Sequence, residues 1–271
     1  MSKHSNSHNS LDKIPIVAPK AKRTLFIILT VVIGLYVISA IFTEAYPDKI
    51  VTGLPIAVQF VVQDLFPPNL SYYKTVFTRV LETWNIALLS TTLAVIFCLP
   101  FSFLAASNIN RSKTLYNVVR FFLNVLRTIP ELIMAVILVG IVGIGALPGI
   151  GALFIFSLGI LAKLISETIE AIDPGPLEAI KATGGNTLQV IWYGVMPQIL
   201  PHYASYSLYV LEINVRASVV LGFVGAGGVG LILKQQLSLF NYGNVSMIIL
   251  ITFVVVTIID FISNRLRERL V

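Results

Sequence analysis

Glu178-Ala179-Ile180-Lys181-Ala182-Thr183-Gly184, followed further on by Gly194-Val195-Met196-Pro197, is a polar passage set between two long apolar segments. Pro174, Gly175 and Pro176 end whatever precedes them and leave Pro176 in the first turn of a new helix. Glu178 is then expected in that first turn, where the helix dipole favours a carboxylate. Gly184 and Gly185 free the backbone to turn. A second amphipathic helix over 187–193 is expected to return the chain before Pro197 and Pro201 break it. Leu177, Ile180 and Leu188 are the apolar contacts expected between the two arms. A chain that only crosses a bilayer has no need of such an elbow, whereas a partner in the aqueous phase does. The plain alternative is a hairpin that merely joins two spans, with Glu178 as its cap.

The rest of the chain is built for lipid. Of 271 residues, 56% are hydrophobic and 12% charged, with a mean hydropathy of +0.87. A soluble domain carries about 25% charged residues, so the deficit and the repeated apolar runs exclude that class and define an all-α integral membrane protein. Cys98 is the one cysteine and lies inside an apolar run, which excludes an internal disulfide and reads as inert packing. The net charge of +6 comes from residues that flank apolar segments and form no single patch, so nucleic acid is not the partner. His4, His8 and His202 stand apart from one another, leaving no metal site or catalytic triad, and no Walker lysine motif is present for ATP.

Residues 1–23 read as a loosely ordered tail and 24–42 as an uncleaved first transmembrane helix of about 28 Å at 1.5 Å per residue. Residues 43–79 read as a mixed external segment in which Pro47, Pro55, Pro67 and Pro68 prevent a long helix, with a short interfacial helix over 58–66. A core over 80–271 follows, its spans at about 84–106, 121–142, 150–166 after a tight turn over 143–149, 203–224 and 245–262, with the elbow in a loop over 167–200. Six spans result. The Lys/Arg bias orients them. With the elbow inside, the inner side holds Lys3, Lys13, Lys20, Lys22, Arg23, Arg111, Lys113, Arg120, Lys163, Lys181, Arg265, Arg267 and Arg269. The outer side holds only Lys49, Lys74, Arg79 and Lys234. Both termini are therefore expected in the cytoplasm.

The elbow resembles the EAA signature of the ABC-importer permeases, in which Glu-Ala-Ala, a later Gly and an Ile-x-Leu-Pro ending mark the loop that docks on the ATPase. Glu178, Ala179, Gly184 and Pro197 fall in register; Ile180 stands for the second Ala, Gly194 for the Ile and Met196 for the Leu. Over about 81–271 the chain is also similar to phosphonate and phosphite importer permeases. The runs that carry this are Arg127-Thr128-Ile129-Pro130-Glu131, Lys163-Leu164-Ile165-Ser166-Glu167 and the passage from Glu212 to Gly230. The resemblance implies a type I importer permease: a methionine-permease-like core of five helices plus the N-terminal one, paired with a second copy as a homodimer. It also implies two cytoplasmic ATPases gripping Glu178, Ala179, Gly184, Met196 and Pro197, a binding protein outside, and a phosphorus oxyanion as cargo in a bacterial inner membrane. No cofactor and no catalytic residue of the chain's own are implied.

Charged residues within spans are the candidates for the pathway. Arg216 belongs inside the fifth span, where an arginine must face protein or water. A guanidinium fork suits a phosphorus oxyanion, so Arg216, with Glu212, Asn214 and Ser218 beside it, is read as lining the pathway. The alternative is an i, i+4 pair with Glu212. Arg127 and Glu131, expected near the inner end of the third span, read either as a gate or as snorkelling side chains at a kinked helix end. Ser71, Tyr72, Tyr73, Thr83 and Trp84 read as contacts for the external binding protein or as interfacial anchors. Gly225-Ala226-Gly227-Gly228-Val229-Gly230 satisfies a dinucleotide pattern by letter but follows a membrane span rather than a strand, so close helix packing explains it better. The rival readings are a permease for another solute such as methionine, a lipid-modifying membrane enzyme, and a membrane scaffold.

Overall fold

The computed structural model describes residues 19–44, 46–110 and 112–270. The first eighteen residues, with His4, His8 and two of the orienting lysines, lie outside them, as does Arg111. Two compact units divide at Val62/Gln63. In the first unit, α1 (Pro19–Phe42) is apolar around its whole circumference, and its hydrophobic side chains are exposed, as lipid contact requires. It starts at Pro19, earlier than the tail boundary expected from composition. Helix α2 (Pro47–Gln59) begins on Pro47 and continues through Pro55, running on into a π-helical turn, Phe60–Leu65. Pro55 removes a single backbone bond rather than ending the helix, so the short helix expected over 58–66 is instead the tail of a longer one.

The second unit is a helical bundle. Its members are α3 (Tyr73–Leu104), α4 (Lys113–Thr128), α5 (Glu131–Val142), α6 (Ala146–Ala171), α7 (Pro174–Ala182), the single turn α8 (Thr187–Gln189), α9 (Met196–Leu221), α10 (Gly228–Ser238) and α11 (Tyr242–Arg267). Among the described residues, five helices are long and apolar enough to cross a membrane, six if the bent pair α4–α5 counts as one span. That pair is bent by 86°, so the third span is broken rather than straight. Pro130 causes the break: it forces Ile129 out of the helical region (ψ 115°) and then caps α5. Helix α3 begins about a dozen residues before the expected span and packs Val76 and Val80 into the core, which is why the unit boundary precedes Arg79.

Helices α3, α6 and α9 form the centre. Ala87, Ser90, Thr91, Ala94, Cys98 and Ser102 make a small-residue face on α3, and the Ser102 hydroxyl donates across to the Ala162 carbonyl of α6 at 3.2 Å. Between apolar helices in lipid there is no hydrophobic drive, so small residues permitting backbone approach carry the packing. Cys98 lies buried in this seam, consistent with its expected packing role. The glycine-rich passage works the same way. A Cβ on Gly222 would lie 2.5 Å from the Cα of Gly230, and one on Gly230 would run into the Val219 carbonyl, so only glycines let α10 fold back on α9. Helix α10 was not foreseen in the sequence; its N-terminal amides are held by Glu82 and Thr83 of α3, at 3.1 and 2.8 Å.

Candidate functional site: an elbow and a mid-bundle charge network

The elbow is a rigid, mainly apolar interlock. Asp173 caps α7 by accepting from the Gly175 amide at 2.9 Å, so the helix starts at Pro174 and Glu178 is its fifth residue. Glu178 is therefore not in the first turn and is not a cap. Its side chain is exposed and, among the described residues, makes no ion pair; Ala179 beside it is also exposed. Helix α7 ends on Gly184 at φ +86°, a left-handed conformation that a side chain resists. Asn186 and Gln189 then bond reciprocally in a capping box at 2.9 and 2.8 Å.

Leu177 and Ile180 pack inward, with Val190, Val195 and Ile199, against Ile165 and Ile169 of α6, and Met196 joins them half-buried. Leu188 does not; it is exposed, as are Trp192 and Tyr193. A Cβ on Gly194 would lie 3.2 Å from the Ile180 Cδ1. The two departures from the EAA pattern are thus complementary: the side-chain bulk missing at 194 is supplied from 180, a volume-conserving exchange. Pro197 and Pro201 do not break the return arm. The π-helical turn Val190–Val195 widens the backbone just before α9, Pro197 occupies its first turn, and Pro201 lies within it. Gln198 carried no local signal in the sequence. Its amide donates to the Gly194 carbonyl at 2.8 Å and to the Asp173 carbonyl at 3.3 Å, and accepts from the Asp173 amide at 3.1 Å, closing the elbow at its base.

The base is tied to the bundle by Glu170 at the end of α6. It accepts from the Ser107 amide at 2.8 Å and from Arg120 at 2.7 Å, while Arg120 stacks on Tyr116 at 4.7 Å. Arg120 is thereby an internal tie of the bundle as well as a basic flank.

The second set of polar groups lies midway along the bundle. Asn214 of α9, fully buried, donates to Thr91 of α3 and to Ser157 of α6, both at 2.8 Å, and accepts from Ser157 at 3.0 Å. Ser157 is near the midpoint of the 26-residue α6. Ser218 is buried too and donates to the Val215 carbonyl. Asn214 thus ties α9 to α3 and α6, whereas Ser218 bonds back to its own helix; both side chains are buried.

One half-turn from Asn214, Arg216 is 51% exposed. It pairs with Glu212, as the i, i+4 alternative expected, but also with Asp260 of α11 at 3.2 Å. Glu212 is only 10% exposed and is shared with Arg267, 2.6 Å away. Arg267 also donates to Asn264 at 2.5 Å and lies over the Tyr209 ring at 5.7 Å. Two guanidinium groups and two carboxylates thus join α9 to α11, within an otherwise apolar interface. The Asp260 Oδ1 and Arg267 Nε in this network are buried without a hydrogen-bond partner. Spacing revealed the Arg216–Glu212 pair, but Asp260 and Arg267 come from residues far along the chain and had no local signal.

Arg127 and Glu131 are separated by the break: Arg127 ends α4 and Glu131 opens α5, and among the described residues they form no ion pair. A Cβ on Gly159 would lie 3.4 Å from the Arg127 amide nitrogen. The break is therefore level with the middle of α6, not with the helix end where the sequence put it. Thr83 is buried in the core, holding the α10 amide, so it is no surface contact; Tyr72 packs partly against the same cluster.

Similarity to known proteins gives the class to which this bundle, with its elbow and charge network, belongs. Residues 98–271 match the binding-protein-dependent transport system inner membrane component family, and the chain belongs to that family. It is 38% identical over 219 residues to the phosphite transport system permease protein PtxC of Stutzerimonas stutzeri, covering 81% of this chain and 79% of that one. It is 48% identical over 120 residues to the putative cryptic phosphonate transport system permease protein PhnE2 of Escherichia coli K12, covering 44% of this chain and 98% of that one. Among solved structures, the inward-facing MetNI methionine ABC transporter superposes with a TM-score of 0.66 at 22% identity, over 75% of this chain and 99% of its own. That last likeness is one of fold.

Proposed function

We propose that this chain is the transmembrane permease of an ATP-driven importer for phosphorus oxyanions such as phosphite, phosphonates or phosphate. It works as a homodimer, with two cytoplasmic ATPases gripping the two elbows and an external binding protein delivering the anion. Both termini face the cytoplasm, as the Lys/Arg bias requires. Closure of the ATPases draws the elbows together, and because each elbow is closed at its base by Gln198, the motion passes into α9 rather than being absorbed. Glu178 is the exposed charge offered to the ATPase.

The observation that carries this reading is Arg216, half exposed on α9 close to the level of the buried Asn214. An arginine facing lipid at that depth costs at least about 2.5–3.5 kcal/mol, so the face that bears it belongs against a second copy or a water-filled path. Sequence similarity supports a phosphorus oxyanion over methionine: identity to the phosphite permease is 38% over 81% of this chain, against 26% over 59% for the methionine import system permease protein MetP of Bacillus subtilis. The test is uptake by the complex reconstituted with its ATPase and binding protein, over a panel of phosphite, phosphate and methylphosphonate. Arg216→Ala is expected to abolish uptake of the preferred anion while the complex still assembles; unchanged uptake kinetics would take Arg216 out of the pathway.

A further inference from the structure

The charge network contains more than an anion site needs, and the surplus is informative. Glu212 divides its two oxygens between two arginines, Oε1 to Arg216 and Oε2 to Arg267. The two arginines are held very differently. Arg267 is 23% exposed and fixed by Glu212, Asn264 and the face of Tyr209. Arg216 is 51% exposed, and its partners among the described residues are the two carboxylates. Arg267 is held by a carboxylate, an amide and a ring, whereas Arg216 is held by carboxylates and is the more exposed of the two.

We propose that Arg267 is a positioning residue for transport: it holds Glu212 so that Arg216 can leave that carboxylate and meet the oxyanion. This rests on the reading that Arg216 faces the anion. Glu212 is nearly buried, and a buried carboxylate stripped of its only counter-charge is strongly disfavoured. With Arg267 in place, Glu212 stays neutralised when Arg216 turns away. Without Arg267, Arg216 becomes the sole counter-charge and stays clamped to Glu212. Asp260 tunes the same arginine from α11: its carboxylate is 3.2 Å from Arg216, so it competes with the bound anion and keeps it from sticking. The network as built is neutral, two cations against two anions, so no net charge is buried before the anion arrives.

The experiment uses the reconstituted complex and reads anion taken up per ATP hydrolysed, with phosphite, phosphate and methylphosphonate as probes. Arg267→Gln is expected to lower that ratio about tenfold, the scale of coupling between charges in one network. Adding Glu212→Gln to Arg267→Gln is expected to restore most of it, because no carboxylate then remains to clamp Arg216. Arg267→Lys, which keeps the charge but not the fork, is expected to fall between wild type and Arg267→Gln. An unchanged ratio in Arg267→Gln overturns the proposal, and so does a double variant that assembles but stays uncoupled. If Arg267→Gln alone fails to assemble, the double variant decides: coupled uptake supports the role, and failure to assemble makes Arg267 a folding residue and overturns it. The two readings fail separately. Full uptake by Arg216→Ala removes the anion site itself; a dead Arg216→Ala beside a normal Arg267→Gln removes only the positioning role.

Discussion

The elbow and the mid-bundle network are built on opposite plans. The elbow is held by close apolar packing and saturated hydrogen bonds: Ile180 fills the space beside Gly194, Asn186 and Gln189 cap each other, and Gln198 closes the base. Glu178, by contrast, is exposed and makes no ion pair among the described residues. The network is held by charges with more than one partner each, and two of its buried polar atoms have none. A part that transmits force needs a single conformation, which interlocked packing supplies. A part that hands an ion onward needs alternatives of similar energy, which shared charges supply.

The largest expected effect tests the elbow's outward charge. Glu178→Lys should bring binding-protein-stimulated ATP hydrolysis down to the unstimulated rate while leaving thermal stability within about 0.5 kcal/mol, as for other exposed substitutions. A variant that stays fully stimulated removes Glu178 from the docking surface. The comparison also needs a polar control at mid-height that is not loose, and Asn214 provides it. Asn214→Ala leaves the Ser157 hydroxyl without its cross-helix partner and Thr91 with only its bond to the Ala87 carbonyl of its own helix, which predicts a loss of about 2–4 kcal/mol with the packing removed, read as a lowered melting temperature of the purified protein. Arg216→Ala, by contrast, should leave the melting temperature nearly unchanged.

Next in size are the two halves of the elbow's exchange. Gly194→Ile should overpack against Ile180 and cost about 1–3 kcal/mol, and Ile180→Ala should cost about 2–4 kcal/mol by opening a cavity. The double variant, which restores the family's bulk at each position, should recover more than half of the summed loss; strict additivity would show that the two positions do not share one space. Smallest is Gly184→Ala, at about 1 kcal/mol for forcing a side chain into the left-handed region. A larger loss there would show that the turn has no room to relax.

Much of this was legible in one dimension. The apolar runs located the spans, and the elbow's Gly184 turn is where the sequence put it. Helix starts were harder. Glu178 was placed one turn too early because Asp173 caps α7 and moves its start to Pro174; two prolines near one start leave that choice open. Leu188 was assigned to the core on type alone, yet it faces outward on a single turn too short to show a period. Pro201 was read as a breaker although the helix passes through it, since the π-helical turn that precedes α9 has no sequence signature.

Hydropathy, proline, glycine and the spacing of like residues are local properties, so the sequence alone determined a membrane bundle with a stiff polar elbow and a pair of charges four residues apart on one helix. Only the tertiary structure decided that the third span breaks at mid-height, that Asn214 is a structural knot, and that Asp260 and Arg267 complete the network around Glu212 and Arg216. The physical reason is the same in each case. Those outcomes depend on which faces of distant helices meet, and a residue's neighbours along the chain carry no record of its neighbours across the bundle.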